Sequence, residues 1–128
     1  MKITLVPVAI ALAVGAAATL AGPAVARGTL APTTVTIKAE NGDLSGLVKS
    51  TRPRVCANER KVIVFKQKGT EQDPSVDDRV GSDTASLNGD RYEWSTGNSG
   101  TFGKVYSLVR RTPDCKADRS ETIRSRRP

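Results

Sequence analysis

The chain reads as all-β: an antiparallel sandwich of about seven strands after a cleaved N-terminal leader. Three observations predict this. Short runs rich in Val, Ile, Thr and aromatics recur roughly every 8 to 12 residues, apolar and polar positions alternating within them. Turn signals, Asn-Gly-Asp twice and Gly/Ser/Pro clusters elsewhere, separate the runs. Beyond the leader no stretch carries apolar residues at the 3.6-residue helical period. Strands that hide one face must stack, so two antiparallel sheets packed face to face follow.

Residues 1–26 read as a secretory signal peptide. Lys2 supplies the positive start, Ile3 to Leu20 is apolar and Ala-rich, Gly22-Pro23 breaks any helix, and Ala24-Val25-Ala26 is a small-x-small cleavage signal. The cut is placed between Ala26 and Arg27. A retained anchor is the competing reading, since about 18 apolar residues nearly span a bilayer; the A-x-A ending and the helix breakers favour cleavage. The expected mature protein is therefore secreted and extracellular, without a membrane span.

The elements follow in order. Arg27 to Pro32 is a flexible lead, and the sandwich is expected to run from Thr33 to Arg124. Thr33 to Glu40 alternates, with Val35 and Ile37 on one side, and Asn41-Gly42-Asp43 turns the chain. Leu44 to Ser50 is the second strand, where Gly46 marks a bulge or a close approach. Thr51 to Glu59 reads as a loop. Arg60 to Lys68 is apolar on both faces, so it is a central strand covered on both sides. Gly69 to Asp78 is a polar loop, Arg79 to Ala85 a short strand and Ser86 to Asp90 a turn. Arg91 to Ser95 alternates strictly, Tyr92 and Trp94 on one face, Arg91, Glu93 and Ser95 on the other. Thr96 to Thr101 is a loop, Phe102 to Arg111 a long strand, Arg119 to Arg124 the last strand and Ser125 to Pro128 a basic tail.

Cys56 and Cys115 are the only two cysteines. An even pair in an exported chain defaults to a disulfide, and no C-x-x-C spacing suggests redox chemistry.

The order Gly46-Leu47-Val48, Arg60-Lys61-Val62-Ile63-Val64-Phe65, Gly81-Ser82-Asp83-Thr84, Asn88-Gly89-Asp90-x-Tyr92-x-Trp94 and Gly103-x-Val105-Tyr106-x-x-Val109 carries a resemblance. It resembles the carboxypeptidase regulatory-like or transthyretin-like sandwich, related to collagen-adhesin B-type repeats, and small secreted bacterial proteins of unknown function. The resemblance implies a seven-stranded transthyretin-like or immunoglobulin-like sandwich and no conserved chemistry. Adhesin repeats join a Lys on the first strand to an Asn or Asp on the last. Lys38 matches the first position, but Arg119 to Arg124 offers only Glu121, so that bond is not carried over.

Composition narrows function. The chain has no His, which excludes Ser-His-Asp and Cys-His catalysis and imidazole metal sites. Glu71, Asp73, Asp77 and Asp78 crowd one loop but lack the D-x-D-x-D-G calcium spacing. Asp77, Asp78, Asp83, Asp90 and Glu93 are scattered among turns, and nothing in the sequence pairs two of them in a cleft. Neither an enzyme nor a cofactor is expected. Trp94 reads as core rather than sugar platform, since Trp is highly buried on average. Tyr106, opposite Val105 and Val109, is the candidate outward aromatic. The expected binding surface combines Tyr106, the loop around Asn98, and Arg124, Arg126 and Arg127. The formal charge of +7 falls to +6 with the loss of Lys2. No Lys/Arg run interleaves with aromatics as nucleic-acid grooves require, so nucleic acid is not the expected partner. The reading is a monomeric, non-catalytic extracellular module of protein or cell-surface interaction, its partner an extracellular protein or a cell-envelope glycan; the alternative is binding of a glycan or an anionic envelope polymer through exposed aromatic and basic residues.

Overall fold

A computed structural model describes residues 29–128. The leader and the Ala26–Arg27 cut lie outside the described residues. The chain passes through β1 (Thr33–Val35), β2 (Lys38–Glu40), β3 (Asp43–Ser50), the single helical turn α1 (Pro53–Cys56), β4 (Lys61–Lys66), β5 (Asp78–Thr84), β6 (Ser86–Asn88), β7 (Arg91–Asn98), β8 (Gly103–Val109), β9 (Asp118–Arg119) and β10 (Ile123–Ser125). The first sheet is ordered β1-β3-β7-β6 with β2 also on β3; the second is β10-β8-β4-β5 with β9 also on β8. All named strand pairs are antiparallel. The protein is an all-β sandwich of two five-stranded antiparallel sheets.

The core between the sheets is built from alternate positions: Val35, Leu44, Val48, Val62, Val64, Trp94, Val105 and Val109. Trp94 is almost wholly buried, and its indole N–H donates to the Thr36 carbonyl at 3.1 Å, which satisfies the one polar atom of the ring. Gly46 lies directly across from Trp94. A Cβ there would clash with the Thr36 carbonyl oxygen and stand 2.8 Å from the indole nitrogen. Gly46 is thus the close approach; the bulge sits earlier, between Leu44 and Ser45.

β4 is central and buried on both faces, as its sequence requires. Its outer residues Ile63 and Phe65 join Tyr106 and Leu108 in a second apolar cluster. Phe65 and Tyr106 stack with ring centroids 5.5 Å apart.

Several boundaries differ from the sequence reading. The first strand divides into β1 and β2 at Thr36-Ile37, where the Thr36 hydroxyl accepts from the Leu47 N–H at 2.9 Å while its carbonyl serves Trp94 and Ser107. Asn41 and Gly42 adopt φ of 52° and 86°, the positive pair that a tight two-residue hairpin demands. The Ser86 to Asp90 stretch supplies an extra strand before its turn: β6 pairs with β7 through the two-residue loop Gly89-Asp90, with Gly89 at φ 65°. Between β5 and β6 the chain bends at buried Ala85, whose N–H and C=O remain bonded to Arg60 and Glu59, and so crosses from one sheet to the other. Thr51 to Glu59 contains α1, begun by Pro53, too short for any periodic signal. The last strand is two pieces, β9 and β10, and strand structure reaches Ser125, one residue into the expected tail.

The Cys56–Cys115 disulfide ties α1 to the segment after β8. Ala31 is not part of a loose lead: it is buried, its N–H donates to Asp114 and its carbonyl accepts from Lys116, both at 2.9 Å. No helix among the described residues is long and apolar enough to cross a membrane.

Candidate functional site

Tyr106 is the clearest correction. It does face away from Val105 and Val109, but it is fully buried. The loop after β4 folds back over that face, and the Tyr106 hydroxyl donates to Asp77 at 2.6 Å. Asp77 also accepts from the Lys68 N–H at 2.9 Å and the Asp73 N–H at 2.8 Å. Burial opposes the charge on Asp77, but these donors outweigh it and hold its pKa below the ordinary carboxylate value. Burial raises the Tyr106 pKa well above that of free phenol, and the Asp77 carboxylate pushes it further. Asp77, one of the acidic residues considered for calcium, is therefore the clasp of its own loop.

The other expected surface residues are exposed and gathered at one end. Asn98 closes the loop after β7, its side-chain Oδ1 accepting the Gly100 N–H at 3.1 Å. Arg124, Arg126 and Arg127 are exposed, and the Arg127 guanidinium lies 5.1 Å over the Phe102 ring.

A sizeable concavity lies on the outer face of the first sheet. It is a half-open groove of about 650 Å³ whose lining includes Lys38, Leu47, Asp83, Asn88, Arg91 and Glu93. The strand period explains it. Ser45 pairs with Ser95 and Leu47 with Glu93, so these point away from the Trp94 side of the sheet. Asn88 donates to Glu93 at 2.9 Å. Asp83 reaches across from β5 to accept the Ser95 N–H at 2.7 Å, occupying a stretch of the β7 edge beyond the three residues paired with β6. Arg91 sits 3.9 Å from Asp90, and Lys38 3.8 Å from Glu40. The groove offers donors and acceptors of both signs beside the apolar Leu47 and Ile37.

The sequence reading named Asp83, Glu93 and Lys38 but did not bring them together. The signal for Glu93 was the strict alternation of β7; the signal for Asp83 was absent, because its placement depends on the bend at Ala85. A further residue was missed. Arg60 is 6% exposed although charged, and its guanidinium donates to the carbonyls of Cys56, Arg110 and Lys116. Burial lowers its pKa from the ordinary guanidinium value, and the three carbonyls solvate the charge. Nothing local in Arg60-Lys61-Val62 distinguishes it from a strand-end cation.

Fold and groove together define a disulfide-stapled all-β sandwich with a polar surface cleft. No family model and no curated protein matches the chain.

Proposed function

We propose that the protein is an exported, non-catalytic module that contacts an extracellular protein or a cell-surface glycan through the groove over β3 and β7. The observation that carries this reading is the groove itself: about 650 Å³, open along one side, with hydrogen-bonding side chains of both signs around an apolar strip. The acidic groups once candidates for chemistry support it as well, since Asp77 and Asp83 accept backbone N–H groups within the fold. The motif order resembling carboxypeptidase regulatory-like sandwiches points the same way. The leader, the disulfide and the absence of His fit an exported binding domain.

The test is retention of a partner. Immobilised wild type and a Leu47→Arg/Glu93→Lys variant are exposed to envelope polysaccharide and to secreted protein from the same source. Wild type retains a component that the groove variant loses by roughly tenfold or more, the scale expected when a charge and an apolar contact are both inverted. Equal retention by the two proteins removes the groove from the mechanism.

A second reading is binding of an anionic envelope polymer through exposed Arg124, Arg126 and Arg127, favoured by the cation packed on Phe102.

A further inference from the structure

Among residues 29–128 the net positive charge is concentrated at one end. Two segments meet at the disulfide. Residues 52–61 hold Arg52, Arg54, Arg60 and Lys61 against Glu59; residues 110–119 hold Arg110, Arg111, Lys116 and Arg119 against Asp114 and Asp118. The remaining described residues carry ten cations and ten carboxylates. So eight basic and three acidic groups at this end account for the whole excess of positive charge in residues 29–128. Asp118 is further engaged, accepting the Val35 N–H at 2.8 Å.

The segments are held as one surface. Cys56 is bonded to Cys115, and Arg60 donates to main-chain carbonyls on both sides of that link. Arg60 is buried; the other seven cations are exposed. Among the described residues none of the eight takes part in an ion pair within 4.0 Å. Two shallow clefts of about 300 Å³ and about 320 Å³ share Arg110 and Arg111 as a common wall. Lys61 and Glu59 line one cleft and Arg119 and Asp118 the other, so the two clefts adjoin at the Arg110–Arg111 wall; together they are termed the furrow.

We infer that this end binds a linear anionic polysaccharide, laid along the furrow with Lys61, Arg110, Arg111 and Arg119 facing its sulfate, phosphate or carboxylate groups. Charge complementarity selects an anion, and the furrow selects a chain over a flat surface. No aromatic stands among the exposed residues of the two segments to stack on bases, which sets nucleic acid aside. The only exposed large apolar side chain there is Val55, too little to anchor in lipid. This surface is separate from the groove over β3 and β7 and from the arginine tail, so either can fail without it.

The experiment compares two variants that lose the same charge: Lys61→Ala/Arg110→Ala/Arg111→Ala at the disulfide end, and Arg124→Ala/Arg126→Ala/Arg127→Ala in the tail. Binding to heparin, to polygalacturonate, to a DNA duplex and to phosphatidylserine vesicles is measured at physiological salt, with circular dichroism to confirm that each variant is folded. The expected result is binding to at least one of the two polysaccharides, weakened roughly tenfold by the disulfide-end variant and little changed by the tail variant. The inference is overturned by equal losses in both variants, by tighter binding to DNA or vesicles than to either polysaccharide, or by no polysaccharide binding.

Discussion

Gly46 shows how one residue constrains the core. Two groups converge where its side chain would be: the Thr36 carbonyl and the Trp94 indole nitrogen. Any Cβ must displace the Thr36 strand break or the indole, and an interior this dense resists both. Gly46→Ala is expected to destabilise the fold by about 3 kcal/mol, the upper part of the usual overpacking range, in urea unfolding followed by Trp fluorescence. A change below about 0.5 kcal/mol, within the noise of surface substitutions, would show that Trp94 can move without penalty. Sequence reading reached Gly46 because glycine inside a strand has few explanations. It did not reach Arg60, because a buried cation bonded only to carbonyls leaves no local pattern.

At the scale of elements, the loop from Gln67 to Asp77 decides which face of the second sheet is open. Its clasp is electrostatic and therefore depends on pH. The Asp77 pKa is depressed in the folded protein, so its contribution is present above the unfolded carboxylate value, near 4, and is lost as pH falls through the folded value. The Tyr106 pKa is raised, so its contribution is complete below the unfolded phenol value, near 10, and fades as pH climbs towards the folded value. Tyr106→Phe is expected to cost about 1 to 2 kcal/mol at neutral pH, the scale of a buried hydrogen bond to a charged partner. The gap between wild type and variant should narrow above about pH 10 as phenol ionisation favours the unfolded wild type. A gap that stays constant to higher pH would mean that the Asp77 bond does not hold the loop. Alternation along β8 placed Tyr106 on the correct face. What covers that face depends on Asp77 reaching Lys68, Asp73 and Tyr106 together, a coincidence of three separations that no sequence period encodes.

The whole molecule was legible in class and less so in connectivity. Alternation, the Asn41-Gly42 turn and the doubly apolar β4 predict two stacked sheets, and these are present. The bend at Ala85, which lets one run of chain serve both sheets, depends on tertiary bonding to Glu59 and Arg60. For the same reason the groove was legible only as scattered outward residues. The disulfide joins positions 59 apart in sequence and restricts the unfolded chain accordingly. Its loss, in Cys56→Ser/Cys115→Ser, is expected to cost about 4 kcal/mol in the chain-entropy model. For a domain of this size that is a large part of the total stability, and thermal unfolding should shift down by more than about 10 °C. A shift of only a few degrees would mean that Arg60 and the Ala31 backbone bonds hold this end without the cross-link.

The bonds of Ala31 to Asp114 and Lys116 also fix the start of the sandwich at one end of the molecule. Ala31 lies beside the disulfide, bridged to Cys115 and among the cations. Ser125 pairs with Gly103 at the opposite end of β8, roughly 20 Å away at the usual rise per strand residue. The last strand therefore finishes at the end opposite the disulfide, away from the basic furrow.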